Sequence, residues 1–342
     1  MTSPQEIIFL SDIKQQNISQ WLSVESEPIG LLLNFNEQLQ AFELLTTSDG
    51  SSSSSERVEL VVFSDLNITA FVALLTKCEI GRIQLRAINH RNNATSYRFD
   101  VLLDDFQSAR EHLAKLTSRE KFEAALLLNA PSLQKPGLLV MDMDSTTIKI
   151  ECIDEIAALA GVGEEVAAVT ELAMQGKLDF SESLHQRVDK LAGAPEEILA
   201  RVAKDIPLME GLKNLVTELK KNQWRVAIAS GGFTYFADHL KAMLLLDAAV
   251  ANILEIKSDA LTGNVLGEVI DAQAKADCLT RLQKEFNISS VQTVAMGDGA
   301  NDLVMMKAAH LGVAFHAKPL VLAQADACIA NAGLDCLLHW LA

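Results

Sequence analysis

The sequence predicts an α/β protein: a doubly wound, Rossmannoid parallel sheet with a helical cap inserted after its first strand, preceded by a small α+β domain. Three observations predict it. Short runs that are almost wholly apolar, Gly137–Met141 (GLLVM), Arg225–Ala229 (RVAIA) and Val291–Met296 (VQTVAM), alternate with segments of helical spacing; strands buried on both faces of a parallel sheet read this way. The stretch between the first two runs, Glu151–Pro207, is rich in Ala, Glu and Leu, reads as purely helical, and is too long for one crossover helix. The segment Asn129–Gly137 (NAPSLQKPG) carries two prolines, cannot be a helix, and marks an inter-domain linker.

The elements follow in order. Asp49-Gly50 and Ser51–Ser55 form a low-complexity surface loop. Glu59–Ser64 is a strand, Asn67–Thr76 a helix, Arg82–Ile88 and Ser96–Leu103 strands, and Asp104–Leu116 a helix. The order βαββα predicts a small sandwich of ferredoxin-like kind over residues 1–130. It holds no catalytic cluster, so a regulatory or dimerising role is expected of it, and a homodimer is compatible with it. Residues 137–342 are expected to form the second domain, with the cap over about 151–207. Its helices are Gly211–Lys221, Phe233–Leu246 and Lys275–Phe286, and Leu311–Phe315 and Ala327–Ala330 are weaker strands.

Composition excludes several classes. The 342 residues hold 29 Lys+Arg against 45 Asp+Glu, a net charge of −16, which argues against a nucleic-acid partner. No apolar run is long enough for a membrane span. Five cysteines, an odd number without a CxxC pair, argue against a zinc ribbon, a redox motif or a disulfide scaffold. The N-terminus lacks the charged and apolar regions of a signal peptide, and a cytoplasmic location is expected. An acidic chain repels an anionic substrate, so any such substrate needs local cations.

Ligands of open parallel sheets bind beyond the C-terminal strand ends. Here three ends carry chemistry: Asp142-Met143-Asp144-Ser145-Thr146, Ser230-Gly231-Gly232 and Gly297-Asp298-Gly299-Ala300-Asn301-Asp302. Asp142 and Asp144, two apart, share one side if the chain stays extended. One can then act as nucleophile or metal ligand and the other as acid/base. Asp298 adds a third carboxylate, and such a cluster calls for a hard cation such as Mg²⁺. Ser230 and the Gly231-Gly232 backbone can donate to phosphate oxygens, and Lys275 adds positive charge. Singly, each piece is ordinary: an acidic pair is often a helix cap, SGG a turn, and GDGAND a calcium-type turn lacking its closing Glu. Jointly they fit phosphoryl transfer.

MDMDST (141–146), SGG (230–232), Lys275 and GDGANDLVM (297–305) resemble the four motifs of the haloacid dehalogenase superfamily of aspartate-nucleophile phosphatases. With Glu151, Arg187, SGGF (230–233) and DAQAKAD (271–277), the pattern is similar to its phosphoserine phosphatase family, over about residues 137–331. The resemblance implies that Asp142 is the nucleophile, forming a phosphoaspartyl intermediate, and Asp144 the acid/base. It implies Mg²⁺ on Asp142, Asp298 and the backbone carbonyl of Asp144. It places Ser230, Gly231 and Lys275 at the phosphate, Asn301 at the substrate, and Asp302 in support of the metal or Lys275. Glu151 is implied to bind the substrate ammonium and Arg187 its carboxylate, with Met174 and Phe180 lining the pocket. His185 and Cys152 are expected to be bystanders. The implied activity is hydrolysis of phosphoserine, the last step of serine synthesis, the alternative being another small phosphomonoester. The cap is expected to hinge near Lys149–Glu151 and Pro207–Gly211.

Overall fold

A computed structural model describes residues 7–23, 29–45, 58–63 and 65–342. The Asp49–Ser55 loop lies outside the described residues. The chain divides into two units: residues 1–130 with 326–342, and residues 131–325.

The first unit holds β1 (Ile7–Phe9), α1 (Leu10–Ile13), α2 (Ile18–Leu22), β2 (Leu32–Asn36), β3 (Ala41–Leu44), β4 (Val58–Phe63), α3 (Ile68–Lys77), β5 (Arg82–Arg91), β6 (Ala94–Leu102), α4 (Phe106–Arg119) and β7 (Glu123–Leu128). Its sheet order is β1-β3-β2-β5-β6-β4-β7. From β4 to β7 the path is βαββαβ, with antiparallel pairing throughout, so β7 adds a strand to the expected βαββα order. The sequence reading missed β7 because its run, EAALLL, is short and without alternation. Asn67 and Asp105 cap α3 and α4 by accepting from Ala70 N–H and Ser108 N–H. Both helices turn Ile68, Phe71, Leu74, Leu75, Ala109 and Leu113 into one core with Leu60, Val62 and Phe99.

Residues 326–342 differ from expectation. They were expected in the phosphatase domain, but the structure places them in the first unit. Leu334, Leu337, Leu338, Trp340 and Leu341 are fully buried, and buried polar groups fix the segment. The Arg98 guanidinium pairs with Glu59 and donates to the carbonyls of His339, Trp340 and Leu341. The Glu123 carboxylate accepts from the N–H groups of Ala330, Asn331 and Ala332. His339 stands between Ser96 Oγ (2.8 Å) and the Arg91 carbonyl (3.2 Å). Since a carbonyl only accepts, Nε2 carries the proton and Nδ1 accepts from Ser96, the neutral form. Burial, then the charges of Arg91 and Arg98, hold its pKa down to about 4, against the Arg91 carbonyl bond.

This has a consequence for stability. Between the unfolded value of ~6.5 and about 4, the unfolded chain binds a proton that the fold refuses, so stability falls as pH falls. Urea unfolding should lose about 2 kcal/mol between pH 7 and pH 5 through this group. His339→Gln should flatten that slope, and an unchanged slope would remove His339 from the account.

The second unit holds β8 (Leu138–Met141), α5 (Cys152–Ala160), α6 (Gly163–Met174), α7 (Phe180–Asp189), α8 (Glu197–Lys204), α9 (Leu212–Lys221), β9 (Arg225–Phe233), α10 (Thr234–Leu244), β10 (Ala248–Lys257), β11 (Ala260–Leu266), α11 (Ala272–Glu285), β12 (Thr293–Gly297), α12 (Leu303–Ala308), β13 (Leu311–Phe315) and α13 (Pro319–Leu322). The remaining elements, β14 (Ala327–Ile329) and α14 (Leu337–Trp340), lie in the C-terminal segment. The strands of the second unit run in the order β11-β10-β9-β8-β12-β13. All pairings from β10 to β13 are parallel, and β11 is antiparallel to β10. Leu138 to Met141 and Val226 to Ala229 are fully buried, as strands covered on both faces must be. The β10–β11 hairpin carries no continuous apolar run, because half-buried residues interrupt both strands, so the sequence does not announce it.

Residues 151–207 are helical, as expected, and form α5 to α8. The two linkers of this cap are bonded to each other: Lys149 N–H donates to the Pro207 carbonyl and Met209 N–H to the Thr147 carbonyl. The expected hinge positions are thus a short antiparallel bridge, Ile148 opposite Leu208. A second fastening joins the end of α7 to the hairpin, where Gly193 N–H donates to the Leu261 carbonyl and Leu261 N–H to that of Ala194.

Candidate active site

The ends of β9, β8 and β12, three neighbours in the sheet, converge on one cavity of about 150 Å³. Its walls are Asp142, Asp144, Glu151, Ile153, Phe180, Leu184, Arg187, Ser230, Gly231, Gly232, Phe233, Asp298, Gly299 and Asn301. That volume is small beside the ~300–1,000 Å³ of sites for drug-sized ligands.

The chain leaves extended geometry at once after β8. The N–H groups of Thr146, Thr147 and Ile148 all turn back to the Met143 carbonyl, and Ser145 is left-handed at φ +57°. Strand alternation therefore does not place Asp142 and Asp144, although both line the cavity. Asp142 Oδ1 accepts from Met143 N–H at 2.8 Å and Lys275 Nζ at 2.9 Å. Its Oδ2 has no hydrogen-bond partner among the described residues. Asp144 Oδ1 is buried and likewise without a partner. Burial, then the charges of Glu151 and Asp142, raise the Asp144 carboxyl well above its ordinary value. Burial and Asp142 also raise Asp298, against a bond from Thr146.

Lys275 is fully buried and does not line the cavity. The helix carrying it begins at Ala272, capped by Asp271, rather than at Lys275, because Asp271 accepts from Ala274 N–H. Its ammonium is clamped between Asp142 and Asp302 Oδ1 at 2.7 Å. Burial alone would lower its pKa, and the two carboxylates outweigh burial and raise it. Asp302 Oδ2 accepts from Gly299 N–H at 3.0 Å, so both of its oxygens are engaged. This loop needs Gly297, where a Cβ would lie 2.3 Å from the Asp302 carboxylate.

On the cap side, Glu151 Oε1 accepts from Ser145 Oγ at 2.8 Å. The Arg187 Nε donates to the Ser183 carbonyl at 3.4 Å, and no carboxylate pairs with the guanidinium among the described residues. Burial lowers its pKa despite Asp154, Glu151 and Asp144 nearby. Phe180 lies over Gly231, where a Cβ would meet its ring at 2.5 Å. Met174, also expected in the pocket, is 73% exposed at the end of α6 and outside the lining. His185 is exposed, and Cys152 is buried with its pKa raised, chiefly by burial. Ser230 Oγ accepts from Gly232 N–H. Asn252, missed from sequence, donates to the Gly231 carbonyl and accepts from Ile270 N–H, both at 2.8 Å; a polar residue inside AAVANILEI was the available signal.

Four carboxylates and one guanidinium line the cavity, with one ammonium behind it. Oxygens of Asp142, Asp298 and Asp302 lie within 4.8 Å of one another and could hold a metal ion. Oxygen-only donors, raised carboxyl pKa values and the unpartnered Asp144 Oδ1 all fit a hard divalent cation. Clustered carboxylates that could hold a metal ion, with Lys275 behind them and a glycine-rich turn beside them at the ends of parallel strands, fit a hydrolase. The chain belongs to the haloacid dehalogenase-like hydrolases, whose family model matches residues 137–310. It is 57% identical to the phosphoserine phosphatase of Vibrio cholerae over 237 residues, 69% of this chain and 72% of that one. The unliganded crystal structure of the probable phosphoserine phosphatase of Vibrio cholerae superposes with a TM-score of 0.69 at 47% identity, covering 83% of this chain and 86% of that chain. A solved phospho-aspartyl intermediate analogue of phosphoserine phosphatase matches with a TM-score of 0.58 at 43% identity, covering 61% of this chain and all of that one. No helix among the described residues is long and apolar enough to cross a membrane.

Proposed function

We propose that this protein is a Mg²⁺-dependent hydrolase of O-phosphoserine, releasing serine and phosphate through a phosphoaspartyl intermediate, as the last step of serine biosynthesis. The observation that carries the reading is one small cavity with Asp142 and Asp144 on its floor and Glu151 and Arg187 on the cap side. The two carboxylates suit a phosphoester, and Glu151 and Arg187 suit an ammonium and a carboxylate on the same small molecule.

Lys275 holds Asp142 Oδ1, which leaves Oδ2 to attack phosphorus. The P–O bond to serine breaks, and Asp144, its pKa raised by burial, gives a proton to the leaving oxygen. As a carboxylate, Asp144 then takes a proton from the water that attacks the phosphoaspartate and releases phosphate. One acid/base thus serves both displacements. Ser230 and the Gly231 backbone face the phosphate, with Asn301 beside it. Mg²⁺, held by Asp142, Asp298 and the Asp144 backbone carbonyl, would neutralise charge between the nucleophile and a dianionic phosphate. Asp302 orients Lys275. Five free, buried cysteines suit a reducing, cytoplasmic compartment.

A phosphate-release assay tests the reading: phosphoserine should be turned over with Mg²⁺ and not after chelation, and metal-independent turnover would contradict it. Arg187→Ala should lower kcat/KM for phosphoserine by about a hundredfold, the scale of a lost charge-assisted pair. Phosphoethanolamine, which lacks the carboxylate, should change by less than about threefold. Equal losses on both would remove Arg187 from the carboxylate subsite.

A further inference from the structure

We propose that Ser145 is a positioning residue for substrate selection, holding Glu151 so that its second carboxylate oxygen faces the substrate ammonium. The proposal rests on the reading of Glu151 given above. Its geometry is specific. Ser145 stands in a left-handed backbone conformation, φ +57°, directly after Asp144, a conformation uncommon for a side-chain-bearing residue. The preceding turn, closed on the Met143 carbonyl, swings Ser145 away from the strand line and brings its Oγ within 2.8 Å of Glu151 Oε1.

Glu151 needs such a tether. It occupies the N-cap position of α5 but makes no side-chain capping bond, and no cation pairs with it among the described residues. Its neighbours Asp142, Asp154 and Asp298 repel it, and burial disfavours its charge. A flexible carboxylate in that field would turn away from the cavity. The Ser145 hydroxyl, a neutral donor, fixes one oxygen without neutralising the charge an ammonium requires. The turn that carries the catalytic pair Asp142 and Asp144 therefore also sets the amine-recognising group, so chemistry and selection share one loop.

The test compares L-phosphoserine with 3-(phosphonooxy)propanoate, which is phosphoserine without its amino group. Ser145→Ala and Ser145→Gly both remove the hydroxyl, and glycine also accepts the left-handed backbone freely. Both variants should raise KM for phosphoserine about fivefold to tenfold, with kcat within about twofold, and leave the des-amino substrate within about twofold. Glu151→Gln should show the same selectivity more strongly, and Ser145→Ala added to Glu151→Gln should change nothing further. Additive losses, or a loss by Ser145→Ala equal on both substrates, would overturn the positioning role. A selective Glu151→Gln with an unaffected Ser145→Ala would overturn the proposal and spare the ammonium subsite. A Glu151→Gln variant without selectivity would overturn that subsite and the proposal with it.

Discussion

Asp142→Asn should abolish phosphoserine turnover, lowering kcat by at least roughly a thousandfold while the protein stays folded. The substitution keeps the shape of the side chain, and an amide oxygen can still accept from Met143 N–H and Lys275 Nζ. What it removes is the charge that makes Oδ2 a nucleophile. Stability should change little, because two effects oppose. Lys275 loses an ionic partner, while Asp144, Asp298 and Asp302 lose a repelling neighbour that raises their pKa values. Phosphate release by the variant within tenfold of the parent, after purification away from wild-type protein, would sink the nucleophile assignment.

Lys275→Ala should be damaging in a second way. The ammonium is fully buried, with Nζ 2.9 Å from Asp142 and 2.7 Å from Asp302. Removing one partner of a buried ionic cluster strands the others, at about 3–5 kcal/mol. In a unit of this size that is a fall in Tm of roughly 10 °C, read by thermal unfolding. Activity should fall by about a hundredfold or more, since Asp142 loses the group that orients it. Lys275→Ala combined with Asp302→Ala should be less destabilising than the sum of the two single variants, because the buried Asp302 carboxylate is then no longer left without its ammonium; Asp142 alone still faces the vacated position. Additive stability losses would show that the Lys275–Asp302 contact carries little weight.

Much of this site was legible in the sequence because its residues sit at the ends of buried apolar strands. GLLVM, RVAIA and VQTVAM must be central, and central parallel strands bring their C-terminal ends together. That Asp142, Asp144, the SGG turn and the GDGAND loop would meet at one cavity followed from that. Lys275 was legible by resemblance, with Asp302 as one of its expected partners, but sequence could not reveal that it lies buried behind Asp142 rather than on the cavity wall. The Ser145–Glu151 bond was illegible because it depends on a left-handed residue, and Asn252 was marked only by its polarity inside an apolar run, its placement depending on a register shift between Val250 and Asn252. The C-terminal segment misled for a different reason. Its apolar residues announce burial but not against what, and the contacts of Arg98, Glu123 and His339 are among those that tie it to the first unit.

If phosphate passes through Asp142, the intermediate can be trapped. Enzyme mixed with phosphoserine and Mg²⁺, quenched in acid within the first turnovers and digested, can be examined by mass spectrometry for a phosphate adduct. One acid-stable, alkali-labile phosphate is expected on the peptide containing Asp142, at that residue, present only with substrate and absent from Asp142→Asn. Full turnover with Asp142 unmodified at every quench time, or a phosphate mapped to any other residue, would contradict it.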